Sequence, residues 1–193
     1  MSLFEIAINA IDEYNKKDPN IEAENGINYP KEYLNSLRQS KWLEKLSPKA
    51  SEALRIAARC QHIGRWEIGR DNYPPTRTGY LQWRTDLGKY HAEKSGHILQ
   101  SLGFDNEIID RVKQLNLKKN IKLDPEAQTI EDMLCLVFLE FQVEDFAKEH
   151  DKEKMLNIIQ KTWKKMGEKG RAEALKITYS PSVISLLKEA LAL

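Results

Sequence analysis

The segment Met133-Leu134-Cys135-Leu136-Val137-Phe138-Leu139 is apolar at every position. Wound into a helix it has no polar face, so it is stable only where other elements cover it on all sides. It is far too short to cross a bilayer. The rest of the chain must therefore supply packing partners, and the patterning says that these are helices. Apolar residues recur at helical spacing in Phe4, Ala7, Ile11 and Tyr14; in Tyr33, Leu34, Leu37, Trp42 and Leu46; in Ala50, Leu54, Ala57 and Ala58; and in Trp83, Leu87, Tyr90, Ile98 and Leu99. The same spacing returns in Ile108, Ile109, Val112 and Leu115, in Ile158, Ile159, Trp163 and Met166, and in Ile184, Leu187 and Leu191. Helix starts are marked by Ser2 with Glu5, Ser47-Pro48, Asp105, Asp124-Pro125, Asp151 and Ser180-Pro181, pairs that satisfy or dispense with exposed amides. Residues 18 to 30 and 65 to 79 read as loops, Lys118-Lys119-Asn120 as a basic turn, and no stretch alternates like a strand. The expected class is all-α, a helical bundle of seven to eight helices forming a single domain over residues 1 to 193.

With 193 residues, 41% of them hydrophobic, the chain is long enough to bury one substantial core. A formal net charge of +1 gives no bulk attraction to nucleic acid or to an anionic membrane, which disfavours both partners. The opening Met1-Ser2-Leu3-Phe4-Glu5-Ile6 lacks the basic region and apolar run of a signal peptide, so a cytoplasmic location is expected. Cys60 and Cys135 both fall in apolar helical stretches and read as small core residues.

The candidate chemistry starts from an anomaly. The apolar face of Ala50, Leu54, Ala57 and Ala58 runs on into Gln61 and His62, and an unpaired buried polar group costs roughly 1–3 kcal/mol. Something must satisfy these two side chains. His62 and His91, with Glu131, Asp132 and Glu140 on a later helix, can converge in a bundle core, where imidazole and carboxylate groups build metal sites. Glu140 follows directly on the apolar run, and a buried carboxylate there would be a candidate acid or base. Between the histidines lies a segment in which Arg65, Arg70, Arg77 and Arg84 flank Trp66, Tyr73, Tyr80 and Trp83. Guanidinium groups in such company suit a small anionic ligand, or else pair with Glu67, Asp71 and Asp86 and stack on the rings. The sequence has no glycine-rich nucleotide loop, nucleophile elbow, paired CxxC or HExxH motif.

Gln61-His62-Ile63-Gly64-Arg65 resembles the His-Asp-Ile-Gly-Lys segment of the HD-domain superfamily of metal-dependent phosphohydrolases. Arg38, with Trp42-Leu43 a turn later, stands where that superfamily has its first histidine. His91, followed by Ile98-Leu99, resembles the later histidine of two-metal members, and Asp132 lies where the last aspartate falls. The whole chain is also similar to the family called domain of unknown function 4202. The matching segments are Tyr29-Pro30-Lys31-Glu32, Ala57 to Glu67, Gly79 to Arg84, Tyr90-His91-Ala92-Glu93, and Ile130-Glu131-Asp132 through Phe138-Leu139-Glu140. The resemblance implies an HD-like helical fold.

The ordinary HD ligand set is replaced at two of its four places, because Arg38 stays protonated and the Gln61 amide is a poor ligand. Two alternatives follow. In one, a rearranged centre of His62, His91 and Asp132 holds iron, manganese or zinc, with Glu67 and Glu140 as catalytic carboxylates. Arg38, Gln61, Arg65, Arg70, Arg77 and Arg84 then bind a small anionic, phosphorylated substrate. The implied reaction is hydrolysis of a phosphate ester, or an oxidation if the metal is iron, since some HD-like proteins are oxygenases. In the other, the protein binds an anionic ligand without catalysis and Arg38 replaces the metal charge by pairing with Asp132.

Overall fold

In a computed structural model that describes residues 1–118, 121 and 123–192, the chain is mostly helical, with one small sheet. Two compact units can be distinguished, Met1–Glu44 with Pro48–Lys119, and Lys45–Ser47 with Asn120–Leu193.

The first unit opens with α1 (Leu3–Asn15), whose expected capping box is complete: the Glu5 amide donates to Ser2 Oγ and the Ser2 amide to the Glu5 carboxylate. The segment expected to be a loop instead holds a hairpin, β1 (Ile21–Glu24) and β2 (Ile27–Pro30), antiparallel with Glu24 opposite Ile27 and Ile21 opposite Pro30. Its cause is Asn25-Gly26. Both residues have positive φ, 52° and 78°, which lets a two-residue turn follow the twist of the strands. Next comes α2 (Lys31–Leu46), capped from outside when the Glu32 amide donates to Asp18 Oδ2 at 2.9 Å. Ser51 rather than Ser47 caps α3 (Glu52–Arg59), accepting from the Leu54 amide at 3.1 Å. After two short 3-10 turns, Arg65–Glu67 and Arg70–Asn72, Thr76 caps α4 (Arg77–Ser101), a start slightly earlier than the aromatic pattern suggests. This unit closes with α5 (Asn106–Leu117). Its core contains Ile11, Leu34, Leu54, Ile56, Ile63, Leu87, Leu99 and Leu115, all almost wholly buried.

In the second unit, Asp124 and Pro125 start α6 (Pro125–Val137) as expected. The apolar run is indeed interior: Met133, Leu136 and Leu139 are buried, and Leu134 and Phe138 are half-buried. The helix continues as a π-helical turn, Phe138–Gln142, into α7 (Val143–Glu149), followed by α8 (Lys152–Lys165), α9 (Glu168–Ala174) and α10 (Pro181–Leu191). The described residues thus form ten α-helices rather than seven to eight, the additional two being the short α7 and α9. Lys119 and Asn120 of the expected basic turn lie outside the described residues. No helix among the described residues is long and apolar enough to cross a membrane.

One buried ion pair fastens three helices of the first unit. Arg59, at the end of α3, grips Asp12 of α1 with both arms, Nε to Oδ1 at 2.6 Å and Nη2 to Oδ2 at 2.7 Å. Its remaining nitrogen, Nη1, donates to Ser40 Oγ of α2 at 3.1 Å. Both charged side chains are largely buried, at 9% and 13% exposure, and removing one partner strands the other charge away from water. Arg59→Ala is therefore expected to lower unfolding free energy by about 3–5 kcal/mol, measured by urea denaturation.

Candidate functional site

The site grows from the hydrogen-bonded turn that follows α3. That helix stops at Arg59, so Gln61 and His62 are not a continuation of its apolar face but lie in successive turns closed by the Ile63 amide on the Cys60 carbonyl and the Arg65 amide on the His62 carbonyl. Gly64 makes the stop possible. Its φ of 66° is left-handed, and a Cβ there would stand 2.8 Å from the ring of Tyr90.

The two polar side chains that opened the question find different partners. Gln61 is buried and donates through Nε2 to Asn116 Oδ1 at 2.7 Å and to the Ala57 carbonyl at 3.2 Å. Asn116 in turn donates to Ser95 Oγ at 2.9 Å and to Cys60 Sγ, so Gln61 belongs to a packed polar seam and not to a ligand surface. Burial pushes the Cys60 thiol up to about 11.

His62 turns elsewhere. Its side chain is about a quarter exposed (26%), and its Nδ1 lies 3.4 Å from Glu32 Oε2 and 3.3 Å from the Gln39 amide nitrogen. Glu32, in the first turn of α2, also receives the Asn35 amide at 3.1 Å and faces Arg65 Nε at 3.8 Å through its other oxygen. Burial raises the pKa of Glu32, but His62, Arg65 and Asn35 together outweigh it and hold the carboxyl at about 2. An ionised carboxylate therefore sits between an imidazole and a guanidinium. For His62, burial lowers the pKa, helped by the positive charges of Arg65 and Lys118 and opposed by Glu32.

His91 projects from α4 with its ring centroid 6.1 Å from that of His62. Its Nδ1 lies 2.8 Å from the Ile63 carbonyl, which can only accept, so the proton is on Nδ1 and the Nε2 lone pair is free. Burial, then the neighbouring His62 charge, depress it to about 3, which keeps the ring neutral at physiological pH. Arg65 completes the group. Its guanidinium stacks on Trp83, 5.0 Å from the ring centroid, and Arg84 is close enough to repel its charge.

Of the expected site residues, the first unit thus gathers His62, His91, Arg65 and Arg84. The others have different work. Arg38 is held by the hairpin, donating from Nε to Glu24 Oε1 at 3.0 Å and from Nη1 to Glu22, two side chains placed on one face by strand alternation. Arg70 donates to the Tyr73 and Pro74 carbonyls at 3.0 and 2.8 Å and so ties its own loop. Arg77 is exposed at the start of α4. Glu67 is exposed and accepts from the hydroxyls of both Tyr14 and Tyr90. In the second unit, Asp132 Oδ1 accepts from Gln128 at 2.8 Å and from the Gly167 amide at 2.7 Å, so this carboxylate caps the start of α9. Glu140, expected to be buried, is exposed on the π-helical turn. Among the described residues, no group of three or more His, Cys, Asp and Glu is placed to hold a metal ion.

Residues 5–187 match the family described as Domain of unknown function (DUF4202). The chain belongs to that family. No curated protein and no solved structure matches it. For the DUF4202 chain the residue that sequence reasoning passed over is Glu32. It stood in a matching segment, Tyr29-Pro30-Lys31-Glu32, without a role, since nothing in its spacing ties it to an imidazole 30 positions later.

Two outcomes test this geometry. Gly64→Ala combines a left-handed backbone with a 2.8 Å approach to Tyr90 and is expected to destabilise by at least about 1–2 kcal/mol in urea denaturation. The folded pKa of Glu32 is depressed from 4.5 to about 2, so its contribution is complete above pH 4.5 and disappears as pH falls through 2. That contribution is on the order of 3 kcal/mol. Denaturation as a function of pH should show the loss in this window for the wild type and a shallower decline for Glu32→Gln.

Proposed function

We propose that this DUF4202 protein is an enzyme acting on a small anionic, phosphorylated substrate, with Arg65 as the anion anchor and His62 as the proton-transfer group. The observation that carries the reading is the Glu32 carboxylate shared between His62 Nδ1 and Arg65 Nε. At Nδ1 the ionised Glu32 carboxylate at 3.4 Å outweighs the neutral Gln39 amide nitrogen at 3.3 Å, because a charge-assisted hydrogen bond is the stronger. It favours the tautomer in which Nε2 carries the lone pair, and the lowered pKa keeps that lone pair available at neutral pH. The stacked guanidinium alongside offers its outer nitrogens to phosphoryl oxygens in a partly desolvated setting, where a charge-assisted hydrogen bond is strong. In hydrolysis of a phosphate ester, His62 Nε2 draws a proton from the attacking water as its oxygen bonds to phosphorus, the ester P–O bond breaks, the departing alcohol oxygen takes a proton from solvent, and Arg65 holds the phosphoryl group.

A second reading adds a metal. His62 and His91 each have Nδ1 against an acceptor, the arrangement that orients imidazole ligands through their other nitrogen. Their ring centroids are 6.1 Å apart. Neutral imidazole suits iron, manganese or zinc, which would supply a Lewis acid beside the anion anchor. These two nitrogens are one fewer than the three protein ligands usual in catalytic zinc sites, so the steps above are assigned to the chain's own residues.

Calorimetric titration with inorganic pyrophosphate, together with turnover of p-nitrophenyl phosphate, tests the proposal. Arg65→Ala is expected to weaken pyrophosphate binding at least about tenfold. His62→Ala should retain binding and lose roughly 100-fold or more in turnover. Wild-type affinity in Arg65→Ala defeats the anion anchor, and wild-type turnover in His62→Ala defeats the proton-transfer role. Metal content of untagged protein, compared with His91→Ala, decides between the metal-free and metal-dependent forms.

A further inference from the structure

The 3-10 turn Arg65–Glu67 is held by side chains of α1 and α4. Gly64 caps the turn with a left-handed backbone, and both it and Glu67 lie against Tyr90, so the turn is gripped at its two ends. Gly64 lies against the Tyr90 ring. The Glu67 carboxylate accepts from the Tyr14 hydroxyl of α1 and the Tyr90 hydroxyl of α4. Trp66 packs on Tyr14 with ring centroids 5.8 Å apart, and Lys94 lies over both tyrosine rings, 4.6 Å from Tyr14 and 5.4 Å from Tyr90. Partial burial raises the Glu67 pKa, but the two hydroxyls and the charges of Lys94 and Lys17 bring it below the ordinary carboxylate value. Burial and the carboxylate push the Tyr90 phenol upward, so it remains a donor.

We propose that Tyr14, Glu67 and Tyr90 form a clamp of positioning residues that pre-sets Arg65 between Glu32 and Trp83 for the anion. The inference rests on the anion-anchor reading of Arg65. It assigns Glu67 a role different from that of a catalytic carboxylate: both of its oxygens are spent on phenols, and it acts by fixing the backbone two residues away. A long cationic side chain that must be ordered during binding loses affinity to that ordering, and a turn already clamped at both ends removes part of the loss.

The test is pyrophosphate affinity of the full-length protein by calorimetry in four forms. The double variant Tyr14→Phe/Tyr90→Phe keeps both rings and removes both hydroxyls. It is expected to bind pyrophosphate roughly tenfold more weakly than wild type, as the ordering of one rotamer-rich side chain implies. Arg65→Ala should bind at least about tenfold more weakly than wild type. Ile159→Val, a small core deletion in the other unit, supplies a comparable loss of thermal stability and should bind as wild type does. The clamp is overturned if the double variant binds within twofold of wild type while Arg65→Ala is weakened by about tenfold or more. It is equally overturned if Ile159→Val weakens binding as much as the double variant, because affinity then merely tracks stability. Wild-type binding by Arg65→Ala would remove the anion anchor itself, and the clamp with it, an outcome distinct from failure of the clamp alone. If the double variant does not fold, Glu67→Gln, which keeps one acceptor oxygen and loses the charge, must show the same ordering of affinities.

Discussion

The pairing of Arg59 with Asp12 fixes the first unit from within. A guanidinium whose Nε and Nη2 bond one carboxylate at 2.6 and 2.7 Å, and whose Nη1 reaches Ser40, leaves little freedom in the relative placement of α1, α2 and α3. Apolar packing alone tolerates sliding between helices, because methyl groups are interchangeable; a bidentate pair does not. Everything at the candidate site follows from that placement. Glu32 sits on α2, His62 and Arg65 follow α3, and Tyr14 sits on α1, so their meeting requires these helices in register to within a hydrogen-bond length.

A second buried carboxylate then organises the polar cluster. Glu32 stands in the first turn of its helix, where the exposed amides favour negative charge, and its own amide is capped by Asp18. The negative charge of Glu32 offsets the positive charge of Arg65 in a partly buried space and gives the His62 Nδ1 an acceptor. It also separates this arrangement from a four-ligand metal centre. The acidic group faces Nδ1 of His62, and Nε2 points away from it.

Much of this was legible in the sequence, and the exceptions share a cause. Helix starts at Ser2, Asp105, Asp124, Asp151 and Ser180 were readable because a cap and its first turn are neighbours in the chain. The helical periodicity and the buried run from Met133 to Leu139 were readable for the same reason. The hairpin was also local, and Asn25-Gly26 between Glu24 and Ile27 was the signal that could have disclosed it. What the sequence could not disclose were through-space partners. Whether Arg38 meets Glu22 and Glu24, whether Asp132 caps α9, and whether Gln61 turns toward Asn116 depend on helix placement, which no spacing rule encodes. Glu140 was misjudged because a residue one step past an apolar run was assumed to share its burial, whereas the π-helical turn there leaves it in water.

The chain's two cysteines fall one to each compact unit, both buried and neither in a disulfide. Cys60 lies at 0% exposure with its thiol pushed up to about 11, so almost none of it is thiolate at neutral pH. A sulfur in that condition reacts with an alkylating reagent only during the moments when the seam around Asn116 and Ser95 opens. Cys135 of α6, at 6% exposure with its thiol toward the Thr162 carbonyl of α8, reports in the same way on the second unit. The protein thus carries a native chemical clock in each half, and the two labelling rates compare how often each half breathes without any added probe.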